Sequence, residues 1–143
     1  MMATEPARGH AAKEPGAGPR GVAVLGSTGS IGTTALRVLA RQPERFTVSA
    51  LTAFANAPLL REQADRFRPG FVGLVDCDTP PSTDWRTGPR CLIEAVCRDD
   101  VDIVLNAVVG AAGLDATLAA LGRGKRVALA NKESLVVAGP LVA

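Results

Sequence analysis

Aromatic side chains make up only 3% of this 143-residue chain, and histidine occurs once, as His10. Such scarcity argues against an antiparallel sandwich built on aromatic cross-strand pairs and suits helices packed closely on a parallel sheet. No apolar run reaches roughly 18 residues, so no helical membrane span is expected. The three cysteines, Cys77, Cys91 and Cys97, contain no CxxC pair. An odd count without a signal peptide speaks against a disulfide framework and for a reducing, cytoplasmic setting. On one helix Cys91 and Cys97 would stand about 240° apart, so they share no metal-binding face. The net charge is only +2, without a Lys or Arg run, and gives no nucleic-acid footprint.

The first 20 residues also lack Leu, Ile, Val and Phe while carrying three prolines and three glycines. They cannot bury enough surface to offset ordering entropy and read as a disordered leader. Without an apolar h-region this leader is neither a secretory signal nor a transit peptide. His10 lies within it, which removes the one histidine from catalytic or metal duty.

What is present is a 47% hydrophobic, 21% charged chain, the composition of a globular domain with a real core, placed over residues 21–143. Short apolar runs alternate with helical periods. Strands are expected at Val22–Leu25, Phe46–Leu51, Phe71–Val75, Ile103–Ala107 and, as a buried strand, Val127–Ala130. The first helix should present Ile31, Ala35, Val38 and Leu39 on its apolar face. The second has Pro58 in its first turn, followed by Leu59, Leu60, Ala64 and Phe67. A short helix over Cys91–Arg98 and a longer one over Leu114–Leu121, ending at Gly122 and Gly124, complete the series. Asp76–Pro89 reads as loop. Strands separated by helical segments imply right-handed βαβ units, hence an α/β doubly wound parallel sheet of the Rossmann type.

Between the first strand and first helix lies Gly26-Ser27-Thr28-Gly29-Ser30-Ile31-Gly32. A pyrophosphate needs unpaired backbone N–H groups at a helix N-terminus with no side chain blocking approach, which this loop offers. Gly26 suits the tight turn, Gly29 the close approach and Gly32 the close packing of the helix on the sheet. The spacing is GxxGxxG rather than GxGxxG, a variant of the dinucleotide fingerprint; a strand-to-helix turn without a ligand is the bland alternative. After the second strand no Asp or Glu occurs between Thr47 and Arg61 to accept from a ribose 2′-hydroxyl. Ala53, Phe54, Ala55 and Asn56 supply no cation either, so NADP is permitted rather than demanded. Asn56 is the candidate hydrogen-bonding partner there, with Arg61 a distant charge.

Two more stretches belong to the same sheet edge. Asn106-Ala107-Val108-Val109-Gly110-Ala111-Ala112-Gly113 places small residues where ligands of open α/β sheets sit, and small residues equally serve a close-packed helix start. Past the last strand, Asn131 can bond a ribose hydroxyl or carboxamide, Lys132 can attract a phosphate or polarise a carbonyl, and Glu133 can accept from hydroxyls. A solvated helix start with Ser134 explains the same three residues.

Together with Val109–Leu114 and Ala128-Leu129-Ala130-Asn131-Lys132-Glu133-Ser134-Leu135-Val136, the glycine loop closely resembles the N-terminal portion of the 1-deoxy-D-xylulose 5-phosphate reductoisomerases. The resemblance runs from Gly21 to the last residue. It implies an NADPH-dependent oxidoreductase of non-mevalonate isoprenoid synthesis that rearranges and reduces 1-deoxy-D-xylulose 5-phosphate to 2-C-methyl-D-erythritol 4-phosphate. It further implies help from Mg²⁺ or Mn²⁺ held by an Asp-Ser-Glu motif beyond residue 143, a homodimer, and a chain that alone is catalytically incomplete. By the same resemblance Thr28, Gly29, Ser30 and Ile31 would hold cofactor phosphates and Asn56 would meet the adenosine ribose. Asn131 and Glu133 would bind NADPH near the nicotinamide, and Lys132 would reach the substrate. Phe54 and Ala55 depart from the glycine and polar or basic residue often found before that asparagine. Two other readings remain: a homoserine or semialdehyde dehydrogenase-like reductase, against which Glu133-Ser134-Leu135 speaks, and a non-catalytic dinucleotide-binding module.

Overall fold

The computed structural model describes residues 18–129. Their elements are β1 (Arg20–Leu25), α1 (Ser30–Ala40), β2 (Phe46–Ala53), α2 (Ala57–Phe67), β3 (Phe71–Leu74), β4 (Arg86–Thr87), α3 (Cys91–Val96), β5 (Ile103–Asn106), α4 (Ala111–Gly122) and β6 (Arg126–Leu129). The strands form one sheet in the order β4-β3-β2-β1-β5-β6, with every neighbouring pair parallel.

β1 lies inside the sheet and is buried on both faces, as a strand covered by crossover helices must be. Val22 and Val24 point to one face, into a cluster with Leu36 of α1 and Leu60 of α2. Ala23 and Leu25 point to the other, against Leu92 and Val96 of α3 and Ala116 and Ala120 of α4. The chain therefore leaves β1 toward one face and β5 toward the other. Between these strands the winding reverses, which opens a crevice at their carboxyl ends.

Three details differ from the sequence pattern. In α1 the buried residues are Gly32 and Leu36, whereas Ile31 and Val38 are each 48% exposed. The apolar residues of this helix fall on two overlapping stripes, and the seating of Gly32 against the preceding loop selects the phase. β6 is an edge strand among the described residues, with Arg126 and Ala128 exposed, rather than a buried one. Ala130, its expected last residue, lies outside the described residues. Within the expected loop 76–89, Arg86 and Thr87 pair with Gly73 and Leu74, a two-residue strand too short for periodicity to register.

The edge of the sheet opposite the crevice is closed by polar groups. Lys125 is buried, and its ammonium donates to the carbonyls of Arg98 and Val101. Burial lowers its pKa, opposed chiefly by Asp102 and Asp99. The Asp102 carboxylate accepts the Gly21 N–H at 2.8 Å, tying the start of β5 to β1. Beneath β3, Gly73 makes room for Cys91, since a Cβ there would stand 2.8 Å from both Cβ and Sγ of that cysteine. Burial first, then the charge of Glu94, pushes the Cys91 thiol up to about 11, so it behaves as a core atom.

Candidate functional site

The loop after β1 is held from three sides. The Thr52 carbonyl at the end of β2 accepts the N–H groups of Gly26 (2.9 Å) and Ser27 (2.8 Å). The buried Ser27 hydroxyl donates to Gln63 Oε1 at 2.8 Å, and Gln63 Nε2 returns a bond to the Ser27 carbonyl at 2.9 Å. Gly26 has φ +80°, and a Cβ on it would press within 3.3 Å of the Ala107 carbonyl. The turn thus needs glycine for its conformation and for its closeness to β5. Ser27 is a structural anchor, and Gln63, on the same face of α2 as Leu60, was hidden because a lone glutamine on an apolar stripe carries no motif.

Gly29 is the N-cap of α1, in extended conformation, with no side-chain cap bond and no acidic residue in the first turn. Thr33 N–H is taken by the Gly29 carbonyl at 2.9 Å. The amides of Ser30, Ile31 and Gly32 precede the first helical bond and have no intrahelical acceptor. Most helices satisfy such donors with a Ser, Thr, Asp or Asn cap. Here no capping side chain competes with an anion for them, and the helix dipole favours one. Space around Gly29 is open: a Cβ placed on it would find its nearest neighbour, the Gly26 carbonyl, at 3.7 Å. Thr28 is half-buried beside it, while Ser30 is exposed and its carbonyl accepts the hydroxyls of Thr33 and Thr34. The third glycine has a different duty from the one its spacing suggests: a Cβ on Gly32 would stand 2.2 Å from the Gly26 carbonyl and 2.6 Å from Ser27 Cα. It lets the helix start against the loop's own backbone.

Facing this turn, the loop after β5 is fixed by Asn106. Its Nδ2 donates to the Gly113 carbonyl (2.7 Å) and the Thr117 hydroxyl (2.8 Å), and its Oδ1 accepts Val108 N–H (3.0 Å). These bonds are all internal, so Asn106 shapes the loop rather than meeting a ligand. Gly113 is needed for close packing, as a Cβ would lie 2.3 Å from the Val108 carbonyl. Ala107, Val108, Val109 and Ala112 then line the crevice, so both readings of the segment hold for different residues.

Between the two loops is a cleft of about 400 Å³, floored by Thr52, Val75 and Leu92 and rimmed by Thr28, Gly29, Phe54 and Val109. It is mostly apolar with a polar turn at one end, the surroundings a base and its phosphates require. Asn56 stands at the same edge as the N-cap of α2, its Oδ1 accepting Leu59 N–H at 3.2 Å. Its Nδ2 donors are what it can offer a ligand. Asn131, Lys132 and Glu133 lie outside the described residues.

Thr52 Oγ1 is buried in the floor without a hydrogen-bond partner among the described residues. Thr52→Val keeps the shape and β-branching while removing that unsatisfied group, and is expected to stabilise the protein by about 1 kcal/mol. Thermal melts should show a Tm higher by about 4 °C; a lower Tm would mean that the hydroxyl is bonded in solution.

The 1-deoxy-D-xylulose 5-phosphate reductoisomerase family model matches residues 22–139, from within β1 past the last described residue. This chain belongs to that family. The reductoisomerase of Geobacter metallireducens is 45% identical over 128 residues, covering 83% of this chain and 33% of its own. That of Symbiobacterium thermophilum is 45% identical over 138 residues, covering 86% and 35%. Among solved structures, the Zymomonas mobilis reductoisomerase in complex with NADPH superposes with a TM-score of 0.75 at 40% identity, covering 87% of this chain and 35% of that one. A reductoisomerase with NADPH, fosmidomycin and magnesium gives 0.74 at 40% identity, with 86% and 33% covered. The chain spans about a third of the length of these relatives. The family match and the observed sheet agree on a doubly wound dinucleotide-binding fold.

Proposed function

We propose that this chain is the NADPH-binding part of a cytoplasmic, homodimeric reductoisomerase that converts 1-deoxy-D-xylulose 5-phosphate to 2-C-methyl-D-erythritol 4-phosphate. The observation that carries the proposal is the uncapped start of α1 opening on a mostly apolar cleft at the β1/β5 reversal. The bound nicotinamide supplies the hydride. The chain's own residues hold and orient: the amides of Ser30 and Ile31 meet the pyrophosphate, Gly29 permits its approach, and the Thr28 hydroxyl lies beside it. Asn56 offers Nδ2 to the adenosine ribose. Asn131 and Glu133 would serve the nicotinamide end and Lys132 the substrate, as a fixed cation beside its oxygens.

Among the described residues no group of three or more His, Cys, Asp or Glu could hold a metal ion, so no metal-assisted step is assigned to them. The dehydrogenase-like alternative draws nothing from the relatives, which are named reductoisomerases.

Titration of the full chain with NADPH by calorimetry tests the proposal, with Gly29→Asp as the decisive variant. Gly29 has φ −77°, so aspartate fits the backbone and the fold is retained. Its carboxylate would stand where the pyrophosphate approaches. Like charges so placed cost several kcal/mol, and affinity should fall about 100-fold. Absence of NADPH binding by the unaltered chain, or equal binding by the variant, would refute the proposal.

A further inference from the structure

We infer that Phe54 is the stacking platform for the adenine of the bound dinucleotide and a determinant of how tightly this chain holds the cofactor's adenosine half. The inference rests on the NADPH-binding reading of the cleft. Of the four phenylalanines in the chain, three carry an arginine over the ring: Arg45 on Phe46, Arg66 on Phe67 and Arg98 on Phe71, at 5.6, 5.3 and 5.8 Å. Phe54 has no such cover among the described residues. It is 67% exposed although large and apolar, and it borders the cleft.

Its backbone is held on both sides. The Phe54 carbonyl accepts Asp76 N–H at 2.7 Å and the Ala55 carbonyl accepts Ala57 N–H at 2.9 Å, while Asn56 caps α2 directly after. The ring therefore projects from a fixed strand-to-helix junction, and only side-chain freedom is lost when a base lies on it. Thr52, two residues earlier and inside β2, lines the same cleft, and Phe54 stands one residue past the end of that strand on the rim of the cleft.

A base laid on an aromatic ring is recognised by its π-face, whatever its ribose carries. Ala53, Phe54 and Ala55 bring neither a carboxylate to accept from a 2′-hydroxyl nor a cation to attract a 2′-phosphate. Stacking thus substitutes for charge at the end of β2. It holds the adenosine half of NADPH and of NADH alike.

The test is calorimetric titration of the full chain and its variants with NADPH, NADH and adenosine 2′,5′-bisphosphate. Phe54→Ala should weaken all three by about the same factor, roughly tenfold. Phe54→Leu, which keeps apolar area without a π-face, should weaken them nearly as much, and Phe54→Trp should restore binding. Because the side chain is exposed, Tm should not move. Wild-type affinity for NADPH in Phe54→Ala or Phe54→Leu would overturn the stacking role while leaving the cofactor site standing. An unaltered chain that binds none of the three ligands would overturn both.

Discussion

Gly32→Ala is expected to lower stability by about 3 kcal/mol, the upper range for overpacking, and to weaken NADPH binding at least tenfold. The added Cβ would meet the Gly26 carbonyl at 2.2 Å and Ser27 Cα at 2.6 Å. Both are backbone atoms, so no rotamer change relieves the contact. The loop can yield only by breaking bonds that position it: Gly26 and Ser27 N–H to Thr52, or the Ser27–Gln63 pair. Either way the amides of Ser30 and Ile31 lose their aim. Alanine is ordinarily the better helix former by about 1 kcal/mol, so propensity alone predicts the opposite sign. Denaturant unfolding checks the stability, and NADPH titration of the fraction that remains folded checks the aim. An unchanged unfolding midpoint would show that α1 can withdraw from the loop without cost.

The second large effect is expected far from the cleft. Lys125→Met should destabilise the protein by about 3 kcal/mol. Hydrogen bonds from a charged donor contribute about 1.5–3 kcal/mol each, and removing this ammonium leaves the carbonyls of Arg98 and Val101 without it in a buried setting. Methionine fills much of the same volume and removes the cost of burying a charge, which keeps the net loss below the sum of two such bonds. The sign of the pH effect follows from the lowered pKa. The folded protein binds fewer protons than the unfolded chain as pH approaches the ordinary lysine value, so Lys125 contributes most on the alkaline side. The stability gap between wild type and Lys125→Met should therefore widen as pH rises toward 10.5, measured by denaturant unfolding at each pH. A gap that narrows would mean that the two carbonyls outweigh burial and raise the ammonium's pKa in the folded state. Cofactor affinity of the folded variant should be unchanged, because Lys125 lies at the opposite sheet edge.

These two residues mark different degrees of legibility. Gly32 stands in a motif whose chemistry is local: an apolar run, a glycine-rich turn and a helix start within a dozen positions. Such a pattern announces a phosphate-binding turn, though not that the third glycine is needed against the loop itself. Lys125 announces nothing. A lysine between Gly124 and Arg126 reads as a solvated turn residue, and its burial follows from carbonyls 24 and 27 positions earlier.

By itself the sequence determined the alternation of strands and helices, the parallel doubly wound sheet and the glycine loop at the cofactor edge. Each rests on short-range periodicity or turn chemistry. Only the tertiary structure decided which stripe of α1 is buried, that Asn106 and Ser27 are anchors rather than ligands, and that Asn56 spends its oxygen on capping α2. It also decided that Phe54, unlike the other three phenylalanines, has no arginine over its ring among the described residues and stands beside the cleft. Those outcomes depend on partners such as Gln63, 36 positions from Ser27. A hydrogen-bonding group is committed or free according to what the fold brings beside it, and spacing along the chain carries no record of that.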